Sequence, residues 1–176
     1  MRPPVRVLFV GINPGIRSAA TGHHFAGYSN RFWKLLYESG LVPEPIGTED
    51  DGRLPEWGFG ITNLVPRATP GIDTLGAEEY VAGLRSLRRK VRRWKPEVVA
   101  LVGVTLYRAI YGIRRPTPFP VGKGRPTLFL GLQVERFEGA DVFLLPNPSG
   151  RNANFSYGEM LTAYRALATH LASLSS

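Results

Sequence analysis

There is no cysteine in this sequence. Its absence excludes disulfides, thiolate metal sites, iron–sulfur clusters and cysteine nucleophiles. Long apolar runs are missing too: no segment approaches the roughly twenty apolar residues of a membrane span. The opening "MRPPVRVLFVG" holds too short a run for a signal peptide, so the expectation is a cytoplasmic protein that does not use a membrane. Acid is scarce, with 14 Asp plus Glu against 22 Lys plus Arg, a formal net charge of +8 and a pI near 10.2. Such an excess of base favours a polyanionic partner, nucleic acid before an anionic membrane, against the plainer reading of a basic surface that only maintains solubility. What is present suits a single domain over residues 1–176: 43% of the residues are hydrophobic, and no internal repeat or low-complexity linker interrupts them.

Five short apolar runs read as strands: Val5–Val10, Phe59–Val65, Val98–Val102, Thr127–Leu132 and Asp141–Leu145. Their near-continuous apolar character suits strands covered on both faces, hence a largely parallel α/β sheet. Helical patterns lie between them over Asn30–Ser39, Glu78–Lys95, Val104–Tyr111 and Ser156–Ser173. The second places Tyr80, Leu84, Leu87, Val91 and Trp94 on one stripe, with Arg88, Arg89, Arg92 and Arg93 elsewhere. Those arginines read as the solvated side of an amphipathic helix or as a DNA-binding face. Two stretches read as loops. "VPEPIGTEDDGRLPEWG" (Val42–Gly58) is acidic and is expected to turn away from a polyanion. "GIRRPTPFPVGKGRP" (Gly112–Pro126) carries Arg114, Arg115, Lys123 and Arg125 without an acid, and suits either phosphate contact or plain connection.

The chemistry gathers at strand ends. "GINPG" (Gly11–Gly15) follows the first strand but lacks both the dinucleotide-binding glycine spacing and the phosphate-loop lysine, so alone it marks little more than a turn. Downstream come "TGHHF", "SNRFW", "GITNLVPRATPG" after the second strand and "LPNPSGRNANFS" after the last. In an open α/β sheet the carboxyl edge is where ligands bind, so these amide-bearing loops are expected to converge. His23 and His24 are poor metal ligands, because adjacent side chains diverge and no acid is spaced to help them.

In their order and spacing these motifs resemble the mismatch-specific uracil-DNA glycosylase and thymine-DNA glycosylase family of the uracil-DNA glycosylase superfamily, from about Val5 to the last helix. The resemblance implies a three-layer α/β/α fold around a central, mostly parallel sheet of about five strands. It implies a monofunctional, monomeric glycosylase that hydrolyses the N-glycosidic bond of uracil in double-stranded DNA, preferentially opposite guanine, in base excision repair. Modified cytosines are a further substrate class it allows, and no metal or cofactor is called for.

The physical demands of that reaction match residue by residue. A glycosylase must flip the nucleotide out of the stack, place a water, hold the base, stabilise the departing anion and prop open the gap. By resemblance, Asn13 is the catalytic asparagine and Thr69 helps to hold the water. Phe25 is the aromatic against which the base stacks, and His24 sits at the same pocket. Asn63 stands where relatives carry lysine or asparagine and reads the base edge, while Gly11, Ile12 and Gly15 offer close backbone approach. Ser18 lies beside the C5 edge of the pyrimidine, where a thymine-tolerant relative has alanine and a uracil-preferring one serine. In the last loop Arg151 stands where bacterial relatives carry a leucine wedge, with Asn147, Ser149, Gly150 and Asn152 positioning the loop on DNA. Two other classes stay open: a lesion-binding module without catalysis, and a small-molecule phosphate or nucleotide enzyme using Gly11–Gly15 as an anion loop.

Overall fold

The computed structural model describes residues 1–69, 75–111 and 130–176. The basic stretch holding Arg114, Arg115, Lys123 and Arg125 lies outside the described residues, as does Pro70. Strands β1 (Val7–Gly11), β2 (Phe59–Asn63), β3 (Val98–Val102), β4 (Gly131–Phe137) and β5 (Ala140–Leu145) form one sheet in the order β2-β1-β3-β5-β4. The β1–β2, β1–β3 and β3–β5 pairs are parallel, and β4 is antiparallel to β5. Because β1 lies between β2 and β3, the chain winds in opposite directions on leaving β1 and β2. Open α/β sheets bind ligands at the carboxyl edge where such a change of direction occurs.

Alternation along the strands sorts the core into two halves. Val7 and Phe9 face α2 (Phe32–Glu38) and α5 (Tyr157–Leu174), packing with Phe32, Leu35, Leu36, Met160, Tyr164 and Leu167. Leu8 and Val10 face the other way, toward α3 (Ala77–Trp94) and α4 (Val104–Tyr111), against Leu87, Val91, Leu106 and Tyr107. The result is a three-layer α/β/α sandwich, as expected. Phe9 anchors the first half edge-on to Phe32 at 5.3 Å and to Phe59 at 5.7 Å. Each such aromatic pair adds about 0.5–1.5 kcal/mol beyond the area it buries.

Helix ends follow their local chemistry. Ser156 caps α5, its hydroxyl accepting from the Glu159 N–H at 3.1 Å while the Glu159 carboxylate accepts from the Ser156 N–H at 3.0 Å. Part of the arginine face of α3 is ion-paired, since Arg92 holds Glu138 through two bonds of 2.9 and 3.1 Å. Two expectations need correction, and one element gave no signal. The fourth strand, Gly131–Phe137, runs five residues past its expected end at Leu132, while the start of that expected strand, 127–129, lies outside the described residues: as an edge strand it turns Leu132 and Val134 to solvent, and Gln133 and Glu135 break the apolar run that marked the others. The loop expected over Val42–Gly58 contains a 3₁₀ helix, Thr48–Trp57. A short helix, α1 (Ile16–Thr21), buries no residue and so gives no periodic signal. Among the described residues no helix is long and apolar enough to cross a membrane.

Candidate active site

Past their ends, β1 and β2 stay zipped together. The carbonyls of Gly11, Ile12 and Pro14 accept from the N–H groups of Leu64, Val65 and Thr69 at 2.8, 2.7 and 3.3 Å. This brings Asn13 onto the segment after β2, where its Nδ2 donates to the Arg67 carbonyl at 2.9 Å and to the Thr69 hydroxyl at 2.7 Å. A carbonyl only accepts, so the orientation of the carboxamide is set: both N–H groups point at protein, and Oδ1 accepts from no described residue. Thr69 is 5% exposed, so this anchor is firm. The Arg67 side chain holds Glu79 at the start of α3 through bonds of 2.7 and 3.0 Å. The Arg67 guanidinium, helped by the Gly76 N–H, draws the Glu79 carboxyl down to about 2. Asn13 is therefore braced through Arg67 onto the first turn of α3.

Phe25 adopts a left-handed backbone, φ 50°, which costs a non-glycine residue about 1–2 kcal/mol. The strain is held by side chains that satisfy the backbone on both sides of it. The His24 N–H donates to Asp51 at 3.0 Å, and the His24 carbonyl accepts from Trp33 Nε1 at 3.1 Å and the Thr48 hydroxyl at 2.8 Å. The Ala26 N–H donates to the Ser18 hydroxyl at 3.1 Å, and the Ala26 carbonyl accepts from Arg17 Nε at 2.8 Å. The half-buried ring stacks on Phe32, with centroids 4.1 Å apart and planes 26° apart.

Gly11 shows where these groups meet. A Cβ at Gly11 would lie 2.8 Å from Asn63 Oδ1 and 3.8 Å from the tip of the Phe25 ring. The missing side chain is what lets the Asn63 amide and the Phe25 edge share one space, with half-buried Ile12 next in the chain. The Asn63 amide bonds to no described residue. A Cβ at Gly15, by contrast, would meet no atom within 4 Å, so protein packing does not demand that glycine.

The paired histidines have an acidic partner after all. Asp51, brought from the 3₁₀ helix, lies 3.1 Å from His23 Nδ1, with its side chain 15% exposed. The acidic segment thus turns Asp51 inward onto this loop, and the expectation that no acid reaches the histidines is corrected. Among the described residues no group of three His, Cys, Asp or Glu side chains forms a metal-binding cluster. Burial holds the His24 imidazole below its ordinary pKa, with Asp51 opposing and His23 reinforcing the shift, which favours the neutral ring.

The loop after β5 is built largely by itself. Asn147 Oδ1 accepts from the Ser149 N–H at 3.0 Å, and the Ser149 hydroxyl from the Arg151 N–H at 3.2 Å. Asn152 Nδ2 donates to the Asn147 carbonyl at 3.0 Å. Asn147, Ser149 and Asn152 therefore bond the loop's own backbone and fix its shape. Gly150 packs on Ser29 so closely that a Cβ would lie 2.5 Å from the Ser29 Cβ, and the Arg31 N–H donates to the Pro148 carbonyl at 2.9 Å. Arg151 is exposed and joins no ion pair among the described residues. The structure thus gathers Gly11, Asn13, Phe25, Asn63 and Thr69 at the β1 and β2 ends, with Ser18 and His24 in the brace behind Phe25. The Ser29–Arg31 segment links that group to the β5 loop. Arg17, Thr48, Asp51 and the Arg67 carbonyl escaped sequence reasoning, since each acts across a gap the sequence does not signal.

Residues 1–168 match the family model described as "Uracil DNA glycosylase superfamily". The chain belongs to that superfamily, whose members are hydrolases that act as glycosylases on DNA in base excision repair.

Proposed function

We propose that this superfamily member is a monofunctional, monomeric glycosylase that removes uracil from double-stranded DNA, preferring G·U mismatches, and leaves an abasic site without a metal or cofactor. The observation that carries the reading is the Asn13 carboxamide, held through both N–H groups by Arg67 and Thr69 with its oxygen unclaimed by any described residue. Such an oxygen accepts a hydrogen bond from water and turns the water's lone pair toward C1′. An amide does not take a proton near neutral pH, so Asn13 is no general base. The C1′–N1 bond therefore breaks first, its electron pair leaving with the uracil. Water then adds to C1′ and gives its proton to solvent.

The other residues fit the same event. The flipped uracil stacks on the Phe25 face not covered by Phe32 and meets the Asn63 amide at its polar edge. Donors at that edge stabilise the charge that develops on the pyrimidine, while burial favours the neutral form of His24 beside Phe25. Lys90 offers no Schiff base: it donates to Thr62 at 2.7 Å, and Thr62 faces the side of the sheet opposite Asn63. Arg151, on its self-braced loop, enters the gap in the stack. Base choice rests on Ser18, whose hydroxyl accepts from the Ala26 N–H next to Phe25 and whose bulk at the C5 edge disfavours a thymine methyl by about 10–200-fold.

The test is release of uracil from a G·U duplex. Asn13→Ala is expected to fold and bind duplex while losing roughly 10²-fold or more in release rate, the scale for a positioned catalytic group. Release at the wild-type rate overturns the role of Asn13. A wild-type protein that binds the duplex and releases nothing is instead a lesion-binding module.

A further inference from the structure

Tyr28 is 89% exposed, an aromatic ring that folding leaves almost wholly in water, yet it is not loose. The Arg17 guanidinium lies over the ring at 3.8 Å from its centroid, and Arg17 Nε is itself anchored on the Ala26 carbonyl at 2.8 Å. Arg17 is exposed, and its two terminal nitrogens bond no described residue and pair with no described acid. The pair borders the β5 loop, because the next residue, Ser29, packs beneath Gly150, and Arg31 bonds Pro148. Arg151 is exposed on that loop, and Arg31, which bonds Pro148, lies 5.7 Å from the Tyr157 ring, with Lys34 at 4.7 Å.

We propose that Tyr28 and Arg17, on the exposed side of the Phe25 brace, form a second DNA contact that grips the strand beside the extruded nucleotide. The proposal rests on the reading of the chain as a duplex-acting glycosylase and adds a contact site to it. A guanidinium with free terminal N–H groups suits a phosphate, through paired charge-assisted bonds. A flat ring beside it suits an unstacked base or sugar, which a duplex offers only where a nucleotide has been drawn out. Stacking beneath Arg17 holds the ring ready, so little side-chain freedom is lost on binding. A protein partner would also use exposed Tyr and Arg, but the formal charge of +8 and the shared border with the Arg151 loop favour nucleic acid.

The experiment measures binding by fluorescence anisotropy across a salt series. The probe is a duplex carrying a tetrahydrofuran abasic nucleotide opposite guanine, compared with the unmodified duplex. Tyr28→Ala is expected to bind the abasic duplex about tenfold more weakly with an unchanged salt slope, and Tyr28→Phe to bind like wild type. Arg17→Gln is expected to reduce the salt slope by about one. Thermal melting confirms that each variant is folded. If wild type releases uracil while Tyr28→Ala and Arg17→Gln bind as it does, this contact is wrong and the glycosylase reading stands. If wild type neither binds nor releases, the reading fails and the contact with it.

Discussion

Replacing Gly11 by alanine separates stability from function at one methyl group. The added Cβ would lie 2.8 Å from Asn63 Oδ1, with its next neighbour, the Phe25 ring tip, at an ordinary 3.8 Å. A carbon and an oxygen in contact rest at about 3.3 Å or more. The Asn63 amide must therefore move by about half an ångström, which is the whole tolerance of a working site. Nothing else need shift, because Gly11 is not among the glycines with positive φ. Gly→Ala at a compatible backbone raises stability by about 0.4–1 kcal/mol, chiefly by restricting the unfolded chain. The expected variant therefore melts at or above the wild-type temperature yet releases uracil roughly 2- to 10-fold more slowly, the worth of one neutral hydrogen bond. Single-turnover release from a G·U duplex and a thermal melt read the two effects. A cycle with Asn63→Ala isolates the cause, since the double variant should be no slower than Asn63→Ala alone. A lowered melting temperature at unchanged rate, or losses that multiply in the double variant, would refute the reasoning.

Ser18→Ala removes the acceptor of the Ala26 N–H, and Ala26 is 5% exposed, so the variant should lose about 1–3 kcal/mol of stability as well as discrimination. A thermal melt reads the first effect; the ratio of G·U to G·T single-turnover rates should narrow, and an unchanged ratio places base choice elsewhere. Asp51→Asn keeps an acceptor for the His24 N–H but removes the charge that favours the imidazolium, so His24 should titrate at lower pH than in wild type by NMR. Because His24 already sits below its ordinary value of 6.5, the unfolded chain takes up that proton first as pH falls. Its contribution to stability is therefore full above pH 6.5 and declines below it, over a wider pH range in Asp51→Asn.

The strands β1, β2, β3 and β5 and the helices α3, α4 and α5 were legible to within about two residues at most ends, because burial on both faces writes continuous apolar runs and burial on one face writes a helical stripe. The end of edge strand β4 was missed for the converse reason: polar Gln133 and Glu135 sit inside it, so its pattern is not that of a buried strand. Asn13, Phe25, Asn63 and Thr69 could be named as candidates from motif order alone. Their mutual arrangement could not.

By itself, the sequence determined the layered α/β class, the surplus of positive charge and the loops in which the polar residues lie, since composition, periodicity and turn chemistry are local properties. Only the tertiary structure decided that both N–H groups of Asn13 are taken by Arg67 and Thr69, which orients its oxygen. It alone decided that Asp51 reaches across 27 positions to the His24 backbone, and that Ser18 and Arg17 clasp the peptide after Phe25. Each of these is a directional bond between groups far apart in the chain or on separate loops. The distance between such groups is set by how β1, β2 and the 3₁₀ helix pack, and no local pattern encodes it.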